Sequence, residues 1–232
     1  MSESKKDPKE PSLFEKFRKS DNPAVSLVRE LAWVAAVVGG IALALFLICG
    51  TWPAVVTIES ESMVPHMNVG DLVVVIQQDR FGDLQTWTEG KQDGYMTFQD
   101  YGDVIVYKPN GATNVHPIIH RARTLVDTGN TVSYTTGAPI QNSSKGYTAP
   151  HQGYITKGDN NAVIDQGAWT NYRGLGPIQP VEKEWVIGKA VFAIPLLGYL
   201  PLNIVPIAII IVIIMVLYEV YTRTRREPAE DD

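Results

Sequence analysis

Two stretches without a charged residue constrain this chain more than any other feature. Residues 31–49 (LAWVAAVVGGIALALFLIC) carry none over nineteen positions, and residues 190–218 (AVFAIPLLGYLPLNIVPIAIIIVIIMVLY) carry none over twenty-nine. A helix needs about 20 predominantly apolar residues to cross a bilayer, so both runs read as membrane spans. A cleaved leader is the alternative for the first. Leader cores are only about 7–15 residues long and end in small residues at the cleavage site. This run is longer and continues into Gly50-Thr51-Trp52-Pro53, so it reads as a retained anchor. In the second run Pro195, Pro201 and Pro206 argue against one unbroken helix, because an interior proline removes a hydrogen bond and clashes with the preceding turn. A strand is expected to end near Pro195. A membrane-surface segment would follow, with the span starting between 201 and 206.

Basic residues orient the chain. Lys5, Lys6, Lys9, Lys16, Arg18, Lys19 and Arg29 precede the first run, and Arg223, Arg225 and Arg226 follow the second. Positive flanks stay in the cytoplasm, so both termini are expected there and the segment between the runs outside. The expected organisation is a polar cytoplasmic tail (1–30), a transmembrane helix (31–50), an extracytoplasmic β-rich domain (51–200), a second transmembrane helix (201–221) and a cytoplasmic tail (222–232).

The segment 51–189 has fourteen acidic and ten basic residues, a balance that argues against nucleic-acid binding. Cys49 is the single cysteine, which rules out an intramolecular disulfide and a cysteine-based metal site. The histidines lack ligand spacing and no glycine-rich phosphate loop is present, so no cofactor is expected. Asn142-Ser143-Ser144 is an acceptor pattern for N-glycosylation.

Short runs rich in valine, isoleucine, threonine and tyrosine recur at 55–59, 71–76, 103–108, 118–126, 131–136, 153–157 and 185–192, punctuated by Gly-Asp, Pro-Asn-Gly and Gly-Asn. This is an all-β pattern, with no helix-length amphipathic stretch to interrupt it. Residues 77–102 and 137–152 lack strand signals and read as surface loops or insertions.

Ser62 lies in the stiff segment IESESMVPHMNVGDLVVV, between Glu61 and Met63 and just ahead of Pro65. A serine hydroxyl is a poor nucleophile until a neighbour takes its proton. His120, inside PIIHRARTLV, is either that base or a core histidine. Strand alternation would put it on one face with Ala122, Thr124 and Val126, opposite Ile119, Arg121 and Arg123. A base must itself be oriented, and KGDNNAVID offers Asp159 and Asp165. Asp159 fits a turn former; Asp165 is less obviously needed by a turn. Met63 and Met67 either dip into the membrane interface or pack in the core.

The ordered set SESMVPHMNVGDLVVV, GDVIVY, HRA and KGDNNAVID, behind an amino-terminal anchor, resembles the type I signal peptidases over roughly residues 31–199. It is most similar to the archaeal and endoplasmic-reticulum branch, in which a histidine stands where typical bacterial enzymes carry a lysine. The resemblance implies a mainly β catalytic domain, here flanked by two transmembrane helices, acting as a membrane-bound serine endopeptidase on signal peptides of exported preproteins. It implies a catalytic set of Ser62 as nucleophile, His120 as general base, Asp165 as the group expected to orient the imidazole, and Asp159, the aspartate of the Gly-Asp-Asn box, as the other candidate for that place. Ser60, with the Ser62 N–H, corresponds to the oxyanion hole. The implied partners are preprotein signal peptides, the lipid bilayer and the secretion translocon. The implied location is a cell membrane of archaeal type, the endoplasmic-reticulum membrane being the alternative. Two rivals remain: a Ser-Lys enzyme using Lys108 or Lys91, and a catalytically silent membrane-tethered β-module that binds partner proteins.

Overall fold

The structure, a computed structural model, describes residues 20, 22–141 and 145–226. The glycosylation pattern at Asn142 and most of both charged tails lie outside the described residues. The chain divides into two compact units, Met1–Ile48 and Cys49–Asp232. The first is the amino-terminal helix, which runs Pro23–Cys49 and so begins eight residues before the uncharged run. Pro23 suits a first helical position, where its missing N–H has no intrahelical partner anyway. Asn22 caps the end, its Oδ1 accepting the Ala24 N–H at 2.9 Å.

The second unit is built on strands β1 (Val55–Thr57), β2 (Leu72–Ile76), β3 (Met96–Thr97), β4 (Asp100–Tyr101), β5 (Val104–Tyr107), β6 (Ile118–Val126), β7 (Thr131–Val132), β8 (Tyr147–Thr148), β9 (Gly153–Lys157) and β10 (Val186–Ile194). Six form one sheet in the order β1-β2-β10-β5-β6-β9, and β3-β4 and β7-β8 are small two-stranded pairs. Every pairing in the large sheet is antiparallel.

Both faces of this sheet are covered. Ile105, Tyr107 and Ala122 pack with Val181 in one cluster. Val104 and Val106 pack in another with Ile58, Met63, Met67, Val73, Val75 and Ala190. That double burial is why GDVIVY reads as a continuous apolar run rather than an alternating one. On β6 the pairing with β9 shifts between Ala122 and Thr124. Alternation therefore holds from Ile118 to Ala122 and breaks there, so Thr124 does not continue the His120 face as the simple pattern predicts.

The stretch expected to be loop at 77–102 is more ordered than its sequence suggests. It holds a helix, Trp87–Asp93, whose start is a capping box between Thr86 and Glu89, and then the β3-β4 hairpin. The loop expected at 137–152 contributes β8, which pairs with β7.

Strand β10 ends at Ile194, next to Pro195, as expected. A short helix, Tyr199–Leu202, and a long one, Ile204–Arg226, follow. Among the described residues one helix, Ala24–Cys49, is long and apolar enough to cross a membrane. The expectation of two such helices is therefore met at the amino-terminal end alone. Of the second run, residues 190–194 belong to β10 and residues 204–218 to the helix Ile204–Arg226.

Candidate active site

Ser62 lies in a single 3-10 turn, Glu61–Met63, between β1 and β2. Val64, the residue before Pro65, takes an extended conformation (φ −64°, ψ 140°), as proline requires of its predecessor, and this stops the turn from propagating. Met63 and Met67 are both 0% exposed and anchor the turn in the sheet core. Of their two sequence readings, core packing is the one observed; neither methionine faces a membrane.

The turn brings Ser62 Oγ to 2.9 Å from His120 Nε2, and His120 Nδ1 lies 2.7 Å from Asp165 Oδ2. A carboxylate can only accept, so Nδ1 carries the proton and Nε2 presents a lone pair to the serine hydroxyl. Three residues separated by 58 and 45 positions in the chain are thus joined in one line.

His120 and Asp165 are nearly buried, Asp165 being 2% exposed. Its Oδ2 also accepts from the Tyr107 hydroxyl at 2.8 Å and from Thr156 Oγ1 at 2.7 Å. The strand register explains the convergence: Tyr107 pairs with Ile118, His120 with Ile105, and Ala122 with Thr156. Paired residues point to the same side of a sheet, so β5, β6 and β9 each send one donor toward Asp165. Burial, and then the neighbouring Asp165 charge, push the Tyr107 hydroxyl well above its ordinary range, which keeps it a donor.

Asp159 sits elsewhere. It does not touch His120; its carboxylate takes Arg121 Nε at 2.9 Å and Nη2 at 2.7 Å in a two-point bridge, and His66 Nδ1 at 2.7 Å. The reading of Asp159 as a self-capping turn former is therefore corrected: its side chain bridges strand β6 to the Ser62 turn. Burial raises its carboxyl pKa, but hydrogen bonds and charge from Arg121, then His66, outweigh that, and the net value lies below the ordinary one. Arg121, 0% exposed, gives its remaining Nη1 to the carbonyls of Thr97, Asp100, Tyr101 and Gly102.

The rest of the Gly-Asp-Asn-Asn box clamps the serine turn directly. The Asn160 N–H donates to the Ser62 carbonyl at 2.8 Å, and its side-chain amide donates to the Glu61 carbonyl at 3.1 Å. Gly158 is required by this approach, since a Cβ there would lie 2.6 Å from the Ser62 carbonyl oxygen.

Ser60 Oγ lies 3.2 Å from Ser62 Oγ. A cleft of about 560 Å³ opens over the serine, lined by Ser60, Ser62, His120 and Asp165 and by apolar residues that include Val56, Ile119 and Ile178. Neither rival lysine is among the residues that line this cleft: Lys91 lies over the Trp87 ring at 4.8 Å, and Lys108 precedes the turn Pro109–Gly111. Sequence reasoning assigned no role to Tyr107, Thr156, Arg121 or His66. The tyrosine closing GDVIVY and the arginine of HRA were visible signals; the pairing of His66 with a residue 93 positions away was not.

No family model matches the chain. One comparison with curated proteins gives a relative: the signal peptidase complex catalytic subunit SEC11 of Schizophyllum commune (strain H4-8 / FGSC 9210) is 34% identical over 99 residues, which cover 42% of this chain and 45% of the relative. The chain thus spans less than half the length of the curated relative it matches. The likeness to the type I signal peptidases of the endoplasmic-reticulum and archaeal branch rests on this match.

Proposed function

We propose that the chain is a membrane-bound serine endopeptidase that removes amino-terminal signal peptides from exported preproteins. The observation that carries this reading is the hydrogen-bonded line Ser62–His120–Asp165 at the floor of a cleft. The likeness to a signal peptidase catalytic subunit adds to it.

In this mechanism Ser62 Oγ attacks the carbonyl carbon of the scissile amide while His120 Nε2 takes its proton. Asp165 holds the imidazole in the Nδ1–H tautomer and stabilises the imidazolium that forms. The oxyanion of the tetrahedral intermediate accepts from the Ser62 backbone N–H and from the Ser60 hydroxyl. His120 then gives its proton to the departing amine, which is the new amino terminus of the mature protein, and the signal peptide stays as an acyl ester on Ser62. A water, deprotonated by His120, attacks that ester and frees the serine. Asp159 belongs to the scaffold of this site, not to its proton path.

The placement at a membrane follows from the substrate, whose apolar core is itself held by the bilayer. We place the Pro23–Cys49 helix across the membrane with its basic flank in the cytoplasm. The helix Ile204–Arg226 serves as a second crossing, since residues 204–221 hold a single charged residue, Glu219. Apolar side chains at Trp52, Phe192, Leu196 and Leu200 are exposed, and each is suited to contact with lipid. An archaeal-type cell membrane, or the endoplasmic-reticulum membrane, is the corresponding location, with the secretion translocon as the source of substrate.

The test is cleavage of a purified preprotein by the full chain in detergent micelles. Cut after an A-x-A-like site, lost in Ser62→Ala and in His120→Ala, is the expected result. An intact preprotein, or cleavage that survives Ser62→Ala, overturns the reading in favour of a binding module or another nucleophile.

A further inference from the structure

His66 follows Pro65 in the serine-bearing turn, and the proton path described above makes no use of it. Its Nδ1 lies 2.7 Å from Asp159 Oδ2. The same oxygen accepts from Arg121 Nη2, also at 2.7 Å, so one atom joins the serine turn to β6. Asp159 is held below its ordinary pKa, so it is an acceptor at neutral pH and the His66 Nδ1 must donate.

His120 and Arg121 are consecutive on a strand, and their side chains leave it on opposite faces. The serine turn is bonded through both. On one face Ser62 Oγ meets His120 directly; on the other, His66 reaches Arg121 through Asp159. Two attachments on opposite faces fix the rotation of the turn about the strand as well as its distance from it. Of the bonds between the turn and β6 itself, the Ser62–His120 contact by itself would fix only the distance. The Arg121 end of this second attachment is itself rigid, because its guanidinium is 0% exposed and caged by four carbonyls of the segment 97–102. The insertion at 77–102 thereby gains a role, since it supplies the cage.

We propose that His66 is a positioning residue for the hydrolysis proposed above, setting the angle at which Ser62 faces His120 by donating Nδ1–H to the Asp159–Arg121 pair. The inference rests on that functional reading. It goes beyond it by assigning a role to a second histidine and, through Arg121, to the insertion.

The experiment compares His66→Ala and His66→Asn with the full-length wild type and with Ser62→Ala, in detergent micelles, on one preprotein. The readouts are kcat, KM and the thermal midpoint. Asparagine keeps an amide N–H on a short side chain, within reach of the oxygen that imidazole Nδ1 serves. His66→Ala is expected to lose roughly 10- to 100-fold in kcat through misalignment, with KM little changed. His66→Asn should recover to within roughly threefold of wild type, because the hydrogen bond is restored. A purely structural role would lower the thermal midpoint and leave kcat per folded molecule unchanged. Folded His66→Ala with wild-type kcat overturns the proposal, and so does His66→Asn as impaired as His66→Ala. The functional reading fails separately: it falls if the wild type does not cleave or if Ser62→Ala does, and the His66 role falls with it. An active wild type beside an active His66→Ala removes the His66 role alone.

Discussion

Tyr107 donates its hydroxyl to the same Asp165 oxygen that His120 reaches, at 2.8 Å. The carboxylate is thus oriented by Tyr107 and Thr156, groups that do not line the cleft. Removing the Tyr107 hydroxyl leaves Asp165 held by Thr156 and His120 and deprives a buried charge of one donor. Tyr107→Phe is expected to cost about 1–3 kcal/mol of stability, read from chemical denaturation, and to lower kcat by roughly tenfold with KM unchanged.

The two aspartates separate by what each leaves behind. In Asp165→Asn the amide can present its N–H to His120 Nδ1 and favour the wrong tautomer, so kcat should fall by about 10²–10⁴ with the fold kept. In Asp159→Asn the fully buried Arg121 loses its nearer counter-charge and keeps only Asp100 at 3.7 Å, and breaking a buried pair costs up to about 3–5 kcal/mol. Thermal midpoints and cleavage rates measured side by side check this: a destabilised Asp165→Asn beside a fully stable Asp159→Asn would reverse the assignment.

Gly158→Ala tests the clamp on the serine turn. The added methyl meets the Ser62 carbonyl at 2.6 Å, and the obstacle is backbone that cannot swing aside. The turn must retreat from β6, which opens the Ser62–His120 bond. Activity is expected to drop by at least roughly 100-fold, in line with the cost of a 1 Å misplacement, while Gly129→Ala, with nothing within 4 Å, leaves the rate per folded molecule unaltered.

Acid should act through Asp159. Its folded pKa is depressed below the ordinary 3.8, so the stability it contributes is fully present above the unfolded value and is lost as pH falls through the folded one. Thermal midpoints should therefore decline below about pH 4, and this acid limb should flatten in Asp159→Asn. An unchanged acid limb in that variant would show that other carboxylates govern it.

How far the sequence revealed all this depends on the range of the forces involved. Strands Ile118–Val126 and Gly153–Lys157 coincide with the runs read at 118–126 and 153–157, because turn residues bound both sharply. The run at 131–136 shrinks to Thr131–Val132. There Ser133 Oγ accepts the N–H groups of Thr135 and Thr136, and a local side-chain bond of this kind competes with the ladder. The helix Trp87–Asp93 is two turns long, too short for a hydrophobic period, and only the Thr86…Glu89 spacing marked it. The grouping of Ser62, His120 and Asp165 was legible only through the ordered motifs that resemble those of the type I signal peptidases, since nothing local in any one of them states the others' positions. The Asp159 contacts were not legible: a Gly-Asp-Asn segment looks the same whether its carboxylate caps a turn or receives a distant arginine.

Strand β10 lies between β2 and β5 in the sheet although, among the described residues, it follows every other strand. Ser62 precedes β2, and His120 is on β6. Without β10, β2 and β5 each have an unpaired edge, so ladder pairing joins the strand after the Ser62 turn to the His120 side of the sheet only through this strand. On the function proposed above, the Ser62–His120 geometry is completed only when β10 has entered the sheet.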